Sequence, residues 1–173
     1  NPVHISINNT LLTRTNSHSC LGLSIDPALT FRNHIWAVLS KLKFIIPQLA
    51  RFRNTGVSMP LIIAVYRSLF LSYVTYCLPV YGGLRNRSQM LQKLQVAQND
   101  AIRAMFNIRR DISVHHIYVS HKLLNVKYLY TYEVGVMAYK HFTNLVNPDM
   151  TFYFTKNNNL SLIHISEPTR LLS

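Results

Sequence analysis

The sequence predicts a mainly α-helical protein: an N-terminal antiparallel β-hairpin with a possible third strand, then a bundle of four to five helices. Three observations point there. Short runs of alternating apolar residues end at Asp26-Pro27, long helix-period apolar seams begin at Thr30, and no internal repeat, low-complexity tract or Gly/Ser-rich linker divides the chain beyond that point.

The strands come first. Residues 3–7 read VHISI, Asn8-Asn9 forms a turn-like pair, and residues 10–14 continue as TLLTR, which suggests a hairpin around a two-residue turn. Residues 19–26, SCLGLSID, put Leu21, Leu23 and Ile25 on one face, so a third strand is expected to join that sheet. Asp26-Pro27 breaks the run.

From Thr30 the apolar positions Phe31, Ile35, Val38, Leu42, Ile45, Leu49 and Phe52 alternate in steps of four and three, a helix with one buried seam. Thr30 is the expected cap, and Arg32, Lys43 and Arg51 lie off the seam. Pro47 removes one donor and crowds the carbonyl four residues earlier, so a kink near Phe44 is expected.

Residues 58–83, SMPLIIAVYRSLFLSYVTYCLPVYGG, form the expected central rod. Arg67 alone is charged among Leu61, Ile62, Ile63, Val65, Leu69, Phe70 and Leu71, so the rod should be covered on nearly all sides. Ser58 and Pro60 suit its first turn, and Pro79 with Gly82-Gly83 stops it. Its length also suits a membrane span, but Arg67 near the middle and Ser68, Ser72, Thr75 and Tyr76 favour burial in protein.

After a polar link at residues 85–88, a helix beginning at Gln89 lines one face with Leu91, Leu94, Gln98, Ala101, Ile102 and Met105, turning Lys93, Asp100 and Arg103 elsewhere. Gln95, Gln98 and Asn99 either bond across the bundle, the commoner fate of such amides, or reach nucleic acid. Residues 107–111, NIRRD, end the helix. Residues 113–122 read as a short amphipathic helix, and residues 128–146 as the last one, with Tyr132, Val136, Tyr139 and Val146 inward and Asn147-Pro148 as its stop.

At 173 residues the chain fits one domain that buries about two thirds of its unfolded surface. Cys20 and Cys77, in apolar settings, read as small buried hydrophobes in a reducing compartment. No secretory signal is visible. Lysine and arginine number 18 against six acids, a formal net charge of +12, and no acid falls between Asp26 and Asp100. Such a surface calls for a polyanion: nucleic acid first, an anionic membrane surface second. His115, His116 and His121 do not have the i, i+4 spacing of helical metal ligands and read as solvated or packed side chains. There is no phosphate-binding glycine loop, nucleophile elbow or pair of neighbouring carboxylates, so no catalytic residue and no metal site is assigned.

Several patches occur in a telling order: CLGLSIDPALTFRNHI, LSKLKFIIPQLARFR, AVYRSLFLSYVTYCLPVYGG and LQKLQVAQNDAIRAMF, then IYVSHKLLNVKYLYTYEVGVMAYKHFTNLVNP. In that order they resemble the segment following the catalytic palm in reverse transcriptases, the RNA-directed DNA polymerases, of non-LTR (LINE-type, Jockey-like) retrotransposons. The likeness covers nearly all of residues 1–159, and LGLSID and QNDAIR are its most specific pieces; Tyr81 stands where many relatives place tryptophan. Residues 160–170, LSLIHISEPTR, resemble a translated sequencing-library adapter, so residues 160–173 are read as a non-native tail.

The resemblance implies a division into residues 1–27, the palm's far edge, and residues 28–159, a helical thumb with its C-terminal extension. It implies a fragment of a transposable element's polymerase that grips the template-primer duplex inside the cell, in nucleus or cytoplasm. The implied partners are an RNA template, a DNA primer and the rest of the palm, with no membrane. The aromatic-Ala-Asp-Asp box that holds magnesium in such enzymes does not occur in this sequence, so no cofactor is expected here and the fragment is expected to be inactive alone. The expected phosphate contacts are Lys41, Lys43, Arg51, Arg53, Arg85, Arg87, Lys93, Arg103, Arg109 and Arg110. The alternative is a basic helical module that docks on membranes or proteins through an exposed apolar stripe.

Overall fold

In a computed structural model, residues 6–7, 10–11, 15–83 and 87–143 are described. The protein is mainly helical, with antiparallel hairpin strands at the N-terminal end and helices after them. Contacts divide the chain into two compact units, residues 1–134 and 135–173.

In the first unit, β1 (Ser6–Ile7) pairs with β2 (Thr10–Leu11), Ser6 opposite Leu11 and Ile7 opposite Thr10. The run expected to be a third strand is instead a hairpin of its own. β3 (His18–Cys20) turns back through Leu21 and Gly22 into β4 (Leu23–Ile25) and makes a separate two-stranded sheet. The physical reason is the turn pair. Leu21 and Gly22 both take positive φ, at 49° and 81°, the requirement of a two-residue hairpin turn. That turn leaves Leu21 exposed and Leu23 buried, and Cys20, expected in the core, is exposed on β3.

Asp26 then sets the entrance to α1 (Arg32–Asn54). Its carboxylate accepts hydrogen bonds from the N–H groups of Ala28, Thr30 and Phe31 and from the Thr30 hydroxyl. These bonds favour the ionised form, and the Thr30 N–H is the strongest influence holding the carboxyl below its ordinary pKa. The capping role expected of Thr30 therefore belongs to Asp26, and Phe31, buried in a left-handed conformation, occupies the position before the helix. The seam of α1 is as its spacing requires: Ile35, Val38, Leu42 and Leu49 are buried, Ile45 is half-buried, and only Phe52 turns out to solvent. The helix runs unbroken through Pro47. Its end is a Schellman arrangement around Gly56, with the Val57 N–H on the Phe52 carbonyl and the Gly56 N–H on that of Arg53.

The rod comprises α2 (Met59–Val65), a π-helical stretch (Tyr66–Leu71) and α3 (Ser72–Thr75). Ile62, Tyr66, Phe70 and Val74 are fully buried, and Leu78 of the following turn α4 (Leu78–Tyr81) continues their line. Their even spacing of four explains the π stretch. On an α-helix four residues overshoot one turn by about 40°. Wider i→i+5 turns hold more residues and return the stripe to one side. The enclosed rod expected from hydropathy does not exist: Leu61 and Leu69 are 55% and 49% exposed, and Ala64, Tyr73 and Tyr76 also face out. Among the described residues the rod packs on α1, and Tyr66 joins it to α5 through Gln98, which also donates to the Leu124 carbonyl.

The rod's end is tied by two tyrosines. Tyr76 donates to the Leu21 carbonyl of the β3–β4 turn, and Tyr81 donates to the Val74 carbonyl at 2.6 Å. α5 (Arg87–Phe106) packs lengthwise on α1 with Leu94, Gln98, Ala101, Ile102 and Met105 fully buried. Val114, α6 (His115–Ser120) through Ile117, Leu123 and the start of α7 (Val126–Phe142) complete this core. Asn125 accepts from the Tyr128 N–H at 3.0 Å as the cap of α7, while Tyr132, expected inward, is exposed.

The second unit, residues 135–173, contributes the C-terminal part of α7, closed by the Thr143 N–H on the Tyr139 carbonyl. Arg85, Val146, Asn147-Pro148 and the tail at residues 160–173 lie outside the described residues.

Candidate nucleic-acid interface

The α1–α5 pairing brings together cations that are far apart in sequence. Lys43 and Arg53 come from the second half of α1, Arg103 from the last turns of α5 and Arg110 from the loop beyond it; they line one cleft of about 420 Å³, floored by Ile46 and Pro47. One carboxylate, Asp100, shares it.

The four cations are not equivalent. Arg53 donates from Nη1 to the Ala104 carbonyl at 2.9 Å and from Nε and Nη2 to Asn54 Oδ1 at 3.1 and 2.6 Å. It thereby satisfies one of the last carbonyls of α5, which lack helical donors. Arg103 reaches Asp100 and the Ile112 carbonyl, each at 3.5 Å, and its Nε is buried without a partner among the described residues. Both arginines therefore have structural work at the helix end, where cations also suit the dipole. Lys43 and Arg110 are exposed and carry no hydrogen bond or ion pair among the described residues, which leaves their charge for a ligand.

The remaining expected contacts lie apart from this cleft. Arg51 is exposed on α1, and Arg109 pairs with Asp111 at 3.2 Å, both side chains well exposed. Lys41 lies 4.9 Å from the ring centroid of Tyr73, on the rod side of α1, and Lys93 lies 4.6 Å from that of Trp36. Arg87 opens α5. The expected set thus splits into a cleft, two cation–aromatic pairs, exposed Arg51 and the exposed Arg109–Asp111 ion pair.

The amides are absorbed by the fold. Gln98 Nε2 donates to Tyr66 Oη at 2.8 Å and to the Leu124 carbonyl at 2.9 Å. Gln95 Nε2 donates to Tyr118 Oη and Asn99 Oδ1, its Oε1 accepts from the Val126 N–H, and Tyr118 Oη donates to Asn99 Oδ1. Burial pushes the Tyr66 and Tyr118 hydroxyls well above the ordinary tyrosine pKa, so both stay neutral, Tyr66 accepting from Gln98 and Tyr118 donating to Asn99.

His115 and His116 are exposed and His121 packs its ring 4.7 Å from that of Phe106; no group of three potential metal ligands occurs among the described residues. His34, not singled out by its sequence position, is 4% exposed beside the Tyr81 ring, and burial lowers its pKa. No helix of the described residues is long and apolar enough to cross a membrane.

No family model, curated protein or solved structure matches this chain.

Proposed function

We propose that the chain grips a nucleic-acid duplex through its phosphate backbone, as its resemblance to the post-palm region of non-LTR retrotransposon reverse transcriptases implies. The observation that carries this reading is the convergence of Lys43, Arg53, Arg103 and Arg110 on one cleft of a chain with formal net charge +12. Such contacts position a duplex without reading its sequence. Catalysis, on this reading, belongs to a palm that carries the aspartates and magnesium, and the present chain supplies grip and processivity.

Measuring affinity for an RNA–DNA hybrid against salt tests it. Lys43→Gln and Arg110→Gln should each flatten the log–log slope by about one, because each true phosphate contact releases about one counterion. An unchanged slope removes that residue from the interface.

One observation favours the second reading, a module that docks on a protein or membrane surface. The rod's outer flank, with Leu61, Leu69, Tyr73 and Tyr76 in solvent and Lys41 and Arg67 beside them, is the exposed apolar stripe that docking requires, where the grip reading expected a rod buried on all sides. Leu61→Ser with Leu69→Ser should leave hybrid affinity intact under the first reading and abolish the chain's association with a partner surface under the second.

A further inference from the structure

Trp36 is the chain's single tryptophan, and 51% of it is exposed. It lies on α1 beside α5, in a groove of about 490 Å³ lined by Leu39, Gln89, Gln92, Lys93 and Val96. Leu39 and Val96 supply an apolar floor, the Lys93 ammonium rests over the indole, and Gln89 and Gln92 are exposed. These two amides carry no hydrogen bond among the described residues, in contrast to Gln95, Gln98 and Asn99 farther along the same helix. The groove therefore presents a flat aromatic face, a cation, and unengaged donors and acceptors in a stretch of chain without a single acid from residue 27 to residue 99.

We propose that this groove stacks one unpaired base of single-stranded nucleic acid on Trp36. Lys93 moves from the ring to the adjoining phosphate, and Gln89 and Gln92 meet the base edge. Every base has a π face, so stacking on an indole tolerates any sequence, and the lysine supplies the backbone attraction that usually accompanies it. An apolar peptide side chain would fill the floor but leave the lysine and both amides unused. The inference rests on the nucleic-acid reading yet uses a different surface: the basic cleft needs only phosphates, whereas this groove needs a base.

The test uses the full chain with a labelled oligothymidylate and an abasic strand of equal length, read by anisotropy and by the fluorescence of Trp36. Oligothymidylate should quench the tryptophan and bind more tightly than the abasic strand. Trp36→Ala should erase that advantage, lowering oligothymidylate affinity on the order of tenfold, while Trp36→Phe retains most of it. Lys43→Gln should weaken both strands alike and leave the quenching at saturation unchanged. Binding without quenching, quenching equal for the abasic strand, or an unaffected Trp36→Ala would each overturn the stacking site while leaving phosphate grip standing. Absence of binding to either strand would overturn the stacking site, and absence of binding to the RNA–DNA hybrid as well would overturn the grip.

Discussion

Gln98 is the polar residue on which this core turns. It is fully buried, and one amide nitrogen serves both the Tyr66 hydroxyl and the Leu124 carbonyl, joining the rod, α5 and the approach to α7. Gln98→Ala strands both acceptors and opens a cavity, so it should cost about 3 kcal/mol, read from urea unfolding, against about 1 kcal/mol for Tyr66→Phe. Gly82 is fixed by shape. A Cβ there would come within 2.5 Å of Tyr130 Cδ2 and 2.6 Å of the Leu78 carbonyl oxygen, one of them backbone, so Gly82→Ala should destabilise by about 1–3 kcal/mol in the same assay. Two titrating groups among the described residues contribute to the acid limb. Burial lowers the pKa of His34, so the unfolded state binds its proton first and stability falls as pH drops from 7 through the ordinary histidine range; His34→Gln should flatten that fall. Asp26 is depressed by its hydrogen bonds, chiefly that from Thr30, so its contribution is present above the ordinary carboxyl pKa and is lost as pH falls through the lower folded value. Asp26→Asn should remove that second step from the stability profile.

At the scale of elements, period was legible and coverage was not. The seams of α1 and α5 repeat at helical spacing, and Ile35, Val38, Leu42, Leu49, Leu94, Ala101, Ile102 and Met105 are buried accordingly. The rod defeated the same reading because hydropathy says how apolar a helix is, not how many neighbours the fold places around it. Its π stretch was invisible for a related reason: Ile63, Val65, Leu69 and Leu71 lie between Ile62, Tyr66, Phe70 and Val74 and mask their spacing of four. That spacing makes a prediction. Deleting exposed Ser68 converts the buried steps to four, three and four, which an α-helix accommodates, so the variant should still unfold cooperatively. Deleting exposed Val96 from α5 rotates Ala101, Ile102 and Met105 by about 100° from the core and should abolish the cooperative transition. The β3–β4 hairpin was missed because Leu21 occupies a positive-φ site where glycine or asparagine would have announced a turn.

For the whole molecule, composition disclosed the charge and left its arrangement hidden. Arg53 and Arg103 are fifty positions apart, and only the pairing of α1 with α5 puts them in one cleft; the sequence could not say that helix-end carbonyls and Asp100 already engage them while Lys43 and Arg110 stay open. Nor did it single out Trp36, whose exposure depends on a groove built by two helices. Besides the Trp36 groove the molecule exposes a basic cleft and an apolar rod flank, and these two distinguish the proposed grip from docking. Amide hydrogen exchange of the full chain with and without an RNA–DNA hybrid reads both faces in one experiment. The grip predicts slowed exchange at residues 43–53 and 103–112, with residues 61–76 unchanged; protection confined to the rod flank, or none at the cleft, would contradict it.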